Sequence, residues 1–103
     1  MKFARLAVAL ATGAVLSLPA QASDELAKKY MCMTCHTVDK KLVGPSYKDV
    51  AAKYKADKAA DTKLYDKIKK GGTGVWGQIP MPPNTQVNDA EIKTLVSWIL
   101  SLK

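Results

Sequence analysis

Two thiols and one imidazole carry the first readable chemistry. Cys32-Met33-Thr34-Cys35-His36 holds the only two cysteines and the only histidine of the 103 residues. Cysteines three apart with histidine immediately after them form the covalent attachment signature of a c-type haem. Each thiol adds across one haem vinyl group to give a thioether, so both must reach the same porphyrin edge. One helical turn then swings His36 under the ring as the proximal iron ligand. Two other readings fit part of the pattern. A dithiol redox pair is one, but it needs a thioredoxin-like strand and helix, and no strand pattern of any length is present. A zinc site is the other; it calls for four ligands, and Cys35 and His36 are awkwardly adjacent for a tetrahedral site.

A second ligand candidate stands in Val75-Trp76-Gly77-Gln78-Ile79-Pro80-Met81-Pro82-Pro83-Asn84. Three prolines forbid a regular helix there and make a stiff wall that places one side chain. Met81 is that side chain. Its soft thioether is not protonated near neutrality, binds iron in both oxidation states and, paired with histidine, raises the reduction potential. Filling a gap in the core is the plainer role for a methionine. The glycines of Gly71-Gly72-Thr73-Gly74 are a helix stop and no phosphate loop, since the cluster lacks the lysine and hydroxyl of that motif and follows a helix.

The elements that must position these groups are all helical. Leu26, Tyr30 and Met33 recur at spacings of four and three, which predicts a first helix over Asp24 to Met33 leading into the thiols. Gly44-Pro45 punctuates the following loop. Ser46 with Asp49 is a capping box that opens a short helix with Tyr47, Val50, Ala51 and Tyr54 on one side. Lys55 to Asp61 reads as a polar linker, and Thr62 to Lys70 as a third helix with Leu64, Tyr65 and Ile68 as its apolar contacts. Asn88 with Glu91 caps the last helix, which runs to about Ser101 on Ile92, Leu95, Val96, Ile99 and Leu102, with Trp98 on a flank. The expectation is an all-α fold in which this helix crosses the first and closes a pocket.

Residues 1–22 read as an export leader: Lys2 and Arg5, an apolar run from Leu6 to Leu18, and the small-x-small site Ala20-Gln21-Ala22. The run is shorter than the roughly 20 residues a membrane-spanning helix needs. The expected product is therefore a soluble, exported chain of residues 23–103, in a bacterial periplasm. At 81 residues after loss of 22 it is one domain, of a size that often needs a cofactor to complete its core. Its formal charge falls from +7 to +5 with Lys2 and Arg5 gone, from fourteen lysines and nine acids. Without arginine, and with its lysines dispersed, it does not read as a nucleic-acid binder. Lysines around a cofactor edge would steer acidic protein partners, against the plainer alternative of a solvated surface.

Taken together, these stretches resemble the short bacterial class I cytochromes c, small periplasmic carriers often called cytochrome c-551 or c-552. The resemblance rests on Cys32 to His36, on Val43-Gly44-Pro45 with the Tyr47 to Tyr54 helix, and on Gly74-Val75-Trp76-Gly77 running into Ile79-Pro80-Met81-Pro82-Pro83-Asn84. It implies about four short helices around one covalently bound haem (heme c), with Cys32 and Cys35 as thioether tethers and His36 and Met81 as the axial pair. It further implies a Pro45 carbonyl that accepts from the His36 ring, a Trp76 indole N–H aimed at a propionate, and an Asn84 bond near the Met81 sulfur. Lys67 falls where relatives carry an arginine, and one ammonium replaces a fork there. Met31 stands where some relatives have glycine.

The function this implies is a monomeric electron carrier and not an enzyme. Lys28, Lys29, Lys40, Lys41 and Lys48 are the candidate docking charges. A membrane cytochrome complex is the implied donor; a terminal oxidase, a nitrite reductase or a cytochrome peroxidase is the implied acceptor. A haem peroxidase or oxygen binder would want an open iron position, which Met81 would fill. A small helical module merely stabilised by haem is the other alternative.

Overall fold

The computed structural model describes residues 19–103, so the expected leader lies almost wholly outside the described residues. Four helices follow in order: α1 (Pro19–Lys29), α2 (Tyr47–Tyr54), α3 (Ala60–Lys70) and α4 (Asp89–Ser101), with a 3-10 turn at Cys32–Thr34 after α1. No sheet forms among the described residues; isolated bridges join His36 to Lys41 and Gly72 to Met81. None of the described helices is long and apolar enough to cross a membrane.

The last helix organises the rest. α4 packs against α1, α2 and α3, and the three shorter helices meet chiefly through it. Its Ile92 is wholly buried and Leu95, Val96 and Ile99 nearly so, the face that the sequence periodicity marks. Trp98 corrects the expectation of a flanking position: it is core, edge-on to the Tyr47 ring at 5.2 Å. Ala27 of α1, Val50 of α2, Leu64 and Ile68 of α3, and Val87 complete the interior. Burying one such aliphatic side chain stabilises by about 1.5–3 kcal/mol.

Both expected caps form. The Ser46 hydroxyl accepts from the Asp49 amide at 3.1 Å and the Asn88 side chain from the Glu91 amide at 2.8 Å. Glu91 carries a second role, because its carboxylate accepts from the Tyr30 hydroxyl at 2.7 Å and so ties the end of α1 to the start of α4.

The first helix departs from its expected bounds at both ends. From Pro19, the first described residue, it already runs as helix across the expected cleavage point after Ala22. It stops at Lys29, because Met31 adopts a left-handed φ of 62° and turns the chain into the tighter 3-10 turn. α3 begins two residues before Thr62, which draws Ala60 into the core.

Candidate haem site

The first group of site residues is built from the turn after α1. The His36 amide bonds to the Cys32 carbonyl at 2.9 Å, which closes the turn that carries both thiols and the imidazole. The Thr37 hydroxyl accepts from the Lys40 amide at 2.9 Å and closes the next turn. Gly44 then returns against the histidine, with its amide on the Cys35 carbonyl at 2.7 Å. A Cβ at Gly44 would stand 2.5 Å from His36 Cε1, so the ring occupies the space that any other residue would fill.

His36 Nδ1 lies 2.7 Å from the Pro45 carbonyl oxygen. A carbonyl only accepts, so Nδ1 is the donor in this bond, and in the neutral imidazole Nε2 is the nitrogen that carries the free lone pair. On one side the ring stacks on Tyr47, with centroids 5.1 Å apart and planes 22° apart. Tyr47 also reaches the Cys32 thiol, and burial pushes both the Cys32 thiol and the Tyr47 hydroxyl up from their ordinary values. A thiol held protonated by burial is a poor redox nucleophile. Both cysteines are free, and no cluster of three or more histidine, cysteine or acidic side chains suited to a metal occurs among the described residues. Neither the dithiol nor the zinc reading gains support from this geometry.

The second group hangs from the end of α3. Gly71 ends the helix at φ 70°, and a Cβ there would stand 2.3 Å from the Met81 carbonyl oxygen. That close approach lets Gly72 and Met81 exchange backbone bonds of 3.0 and 2.8 Å. Asn84 completes the anchor. Its backbone amide and its side-chain Nδ2 both donate to the Ile68 carbonyl, at 3.0 and 3.1 Å, satisfying one of the carbonyls a helix end leaves open. Its side chain also lies 3.5 Å from the carbonyl oxygen of Pro82, the residue next to Met81. Met81 is half-buried and packs against the same core as Cys32 and Met33.

Between these anchors a tight turn projects outward. The Gly74 amide bonds to the Gly77 carbonyl at 2.9 Å, and the Thr73 hydroxyl donates to the Gln78 carbonyl at 3.1 Å. Trp76 on this turn is 44% exposed, with the Lys53 ammonium 5.5 Å above its ring centroid. Lys67 lies over Gly72, its ammonium where a Cβ would be. Among the expected docking lysines, Lys28 pairs with Asp24 at 3.0 Å, Lys29 with Glu91 at 4.0 Å, and Lys48 with Asp39. Lys40 and Lys41 have no carboxylate partner among the described residues.

A large flat apolar group fits this arrangement. Met31, Leu42 and Val43 beside the thiols, and Val75, Trp76 and Ile79 before Met81, are large apolar side chains left exposed. They border the two segments that supply a nitrogen lone pair, two thiols and a thioether. The sequence pointed to those donors but missed Tyr47 as the support of the imidazole, Gly71 as the point of approach for Met81, and Lys53 as the partner of Trp76. Only the glycine run at 71–74 offered a local signal.

The family model for cytochrome c matches residues 20–103. The chain belongs to the cytochrome c family. It is 52% identical over 103 residues to cytochrome c-552 of Nitrosomonas europaea, covering 100% of both chains. With cytochrome c-551 of Pseudomonas aeruginosa it shares 51% identity over 96 residues, 91% of each chain. The crystal structure of wild-type Nitrosomonas europaea cytochrome c552 superposes with a TM-score of 0.75 at 57% identity, over 78% of this chain and 99% of that one. A class 1 cytochrome of Sideroxydans lithotrophicus does so with a TM-score of 0.72 at 36% identity, over 84% and 98%. The four helices and the match place the chain among the class I cytochromes c of the c-551/c-552 kind. It is thus a haem-binding electron-transfer protein with a c-type haem, works with redox proteins as partners, and is not an enzyme.

Proposed function

We propose that this cytochrome is a monomeric periplasmic carrier, freed of residues 1–22, in which Cys32 and Cys35 tether one haem and His36 and Met81 are its axial ligands. The observation that carries this reading is the His36 to Pro45 bond, which commits Nδ1 and leaves Nε2 as the ring nitrogen free to bind a metal. A carbonyl acceptor behind the ring also enriches its donation to a metal. The haem supplies an iron that alternates between ferric and ferrous as single electrons pass. The chain's own residues keep both axial positions filled, so little rearranges on transfer.

Each remaining residue has a role in the same reading. Tyr47 and Gly44 hold the imidazole plane, and Gly71 with Asn84 holds the methionine segment. Trp76 and Lys67 serve the propionate side. Docking falls on the exposed apolar rim, with Lys40 and Lys41 as its effective charges, because Lys28, Lys29 and Lys48 are already neutralised by carboxylates of this chain. Charges at such a rim act mainly on the association rate. The donor is a membrane cytochrome complex, and the acceptor a terminal oxidase, a nitrite reductase or a cytochrome peroxidase.

Redox titration of the purified, haem-bearing protein tests this function. A reversible one-electron wave with a low-spin spectrum throughout is expected. Rapid binding of carbon monoxide to the reduced protein would instead reveal an open iron position and overturn the carrier reading.

A further inference from the structure

Most lysines of α3 are engaged by carboxylates: Lys63 with Asp57 at 2.6 Å, Lys69 with Asp89 at 3.1 Å and Lys70 with Asp66 at 3.8 Å. Lys53 of α2 has no carboxylate partner among the described residues, and its ammonium is spent on the Trp76 ring. The ring contact that the structure gives half-exposed Trp76 is this ammonium, 5.5 Å from its centroid. The chain neighbours of Lys53 and Trp76, Tyr54 at the end of α2 and Val75 on the turn, border one groove of about 330 Å³ with Lys67. The two ligand-bearing regions meet here: α2 starts at Tyr47 under His36 and ends beside the turn that leads to Met81.

We propose that Lys53 is a positioning residue whose ammonium, seated over the Trp76 ring, ties the end of α2 to the Met81-bearing loop and fixes the direction of the indole N–H. A cation over an indole is held by the ring quadrupole, and tryptophan is the aromatic that binds it best. Lys53 approaches from a helix whose other end is locked in the core, so it lends that rigidity to a turn made mostly of exposed residues. The consequence for the iron rests on the haem reading above; the contact between Lys53 and Trp76 does not.

The test uses the haem-bearing protein and its Lys53→Met and Lys53→Arg variants. Methionine keeps length without charge, and arginine keeps the cation. Solvent exchange of the Trp76 indole N–H, read by NMR in the reduced state against the buried Trp98, should speed up about two- to five-fold in Lys53→Met, the range a surface cation–π contact supports. It should stay at the wild-type rate in Lys53→Arg. The reduction potential should fall in Lys53→Met, return in Lys53→Arg, and keep its difference at high salt, where a bare surface charge is screened. Unchanged indole exchange in Lys53→Met, or a potential difference that salt abolishes, overturns the proposal. A wild-type spectrum that is not low-spin would contradict the ligand assignment instead, and the exchange rates would still decide the Lys53 contact.

Discussion

The two regions that carry the proposed ligands are held by different physics. His36 is fixed by packing around a single hydrogen bond to Pro45: Gly44 against one part of the ring, Tyr47 stacked on it, and Tyr47 itself edge-on to buried Trp98. Met81 is fixed by backbone hydrogen bonds to Gly72 and, through Asn84, to the Ile68 carbonyl, beside a turn whose Val75, Trp76 and Ile79 are exposed. Interiors are close-packed and transmit displacement, whereas a loop hung on a few hydrogen bonds opens locally at lower cost. The methionine side is therefore the side that yields first, and the histidine side sets whether the haem site exists at all.

Two glycine substitutions give the sharpest separation. Gly44→Ala would press a methyl into a rigid ring, and Gly71→Ala would press one into the Met81 backbone while forcing alanine to φ 70°. Each should cost about 2–3 kcal/mol by overpacking, measured by denaturant unfolding of the haem-bearing protein. Their spectra should differ. Gly71→Ala should lose the methionine-to-iron band and keep histidine ligation, whereas Gly44→Ala should disturb the histidine. The same spectral change in both would erase the distinction between the two regions.

Asn84→Ala should cost about 1 kcal/mol, the net worth of one hydrogen bond. Its mark should be earlier loss of the methionine band on heating, well before the helices melt. Simultaneous loss of both would mean that the loop has no local opening of its own. On the histidine side, Met31→Gly should stabilise by about 1 kcal/mol, since a left-handed residue with a Cβ is strained and glycine is not. Met31 is 71% exposed, so little packing is forfeited. A destabilised variant would show that the Met31 side chain holds the turn.

The smallest effect concerns acid. Tyr65 and Lys69 bond to Asp89 and hold its carboxyl below its ordinary value, pinning α3 to the start of α4. A lowered carboxylate stabilises the fold above its unfolded value of about 3.9 and stops doing so as pH falls through the folded one. Between pH 5 and 2 the parent protein should lose more stability than Asp89→Asn, and the difference should shrink with salt. Parallel curves would remove the clamp from the account of α3.

How much of this was legible in the sequence depends on the range of the interaction. The caps at Ser46 and Asn88 and the buried face of α4 were legible because each is written in spacings of three or four residues, and the candidate donors stand out locally, Cys32, Cys35 and His36 in one five-residue motif and Met81 in a proline frame. Trp98 was misplaced because heptad-like spacing assigns a face and does not foresee Tyr47, fifty-one positions away, receiving it. The end of α1 was misjudged because a single left-handed residue, Met31, overrides an apolar stripe that continues past it. The bond from the Asn84 amide to a helix-end carbonyl was not legible, because no local pattern announces a partner sixteen positions away.

The central claim is that two unlike regions each deliver one ligand to the same iron. Absorption spectra of the exported, haem-bearing protein and of Met81→Ala, oxidised and reduced, test it most directly. The parent protein should show a low-spin c-type spectrum with a methionine-to-iron band near the red end, and Met81→Ala should lose that band while the haem stays covalently attached. A band that survives in Met81→Ala, or is absent from the parent protein, would contradict it.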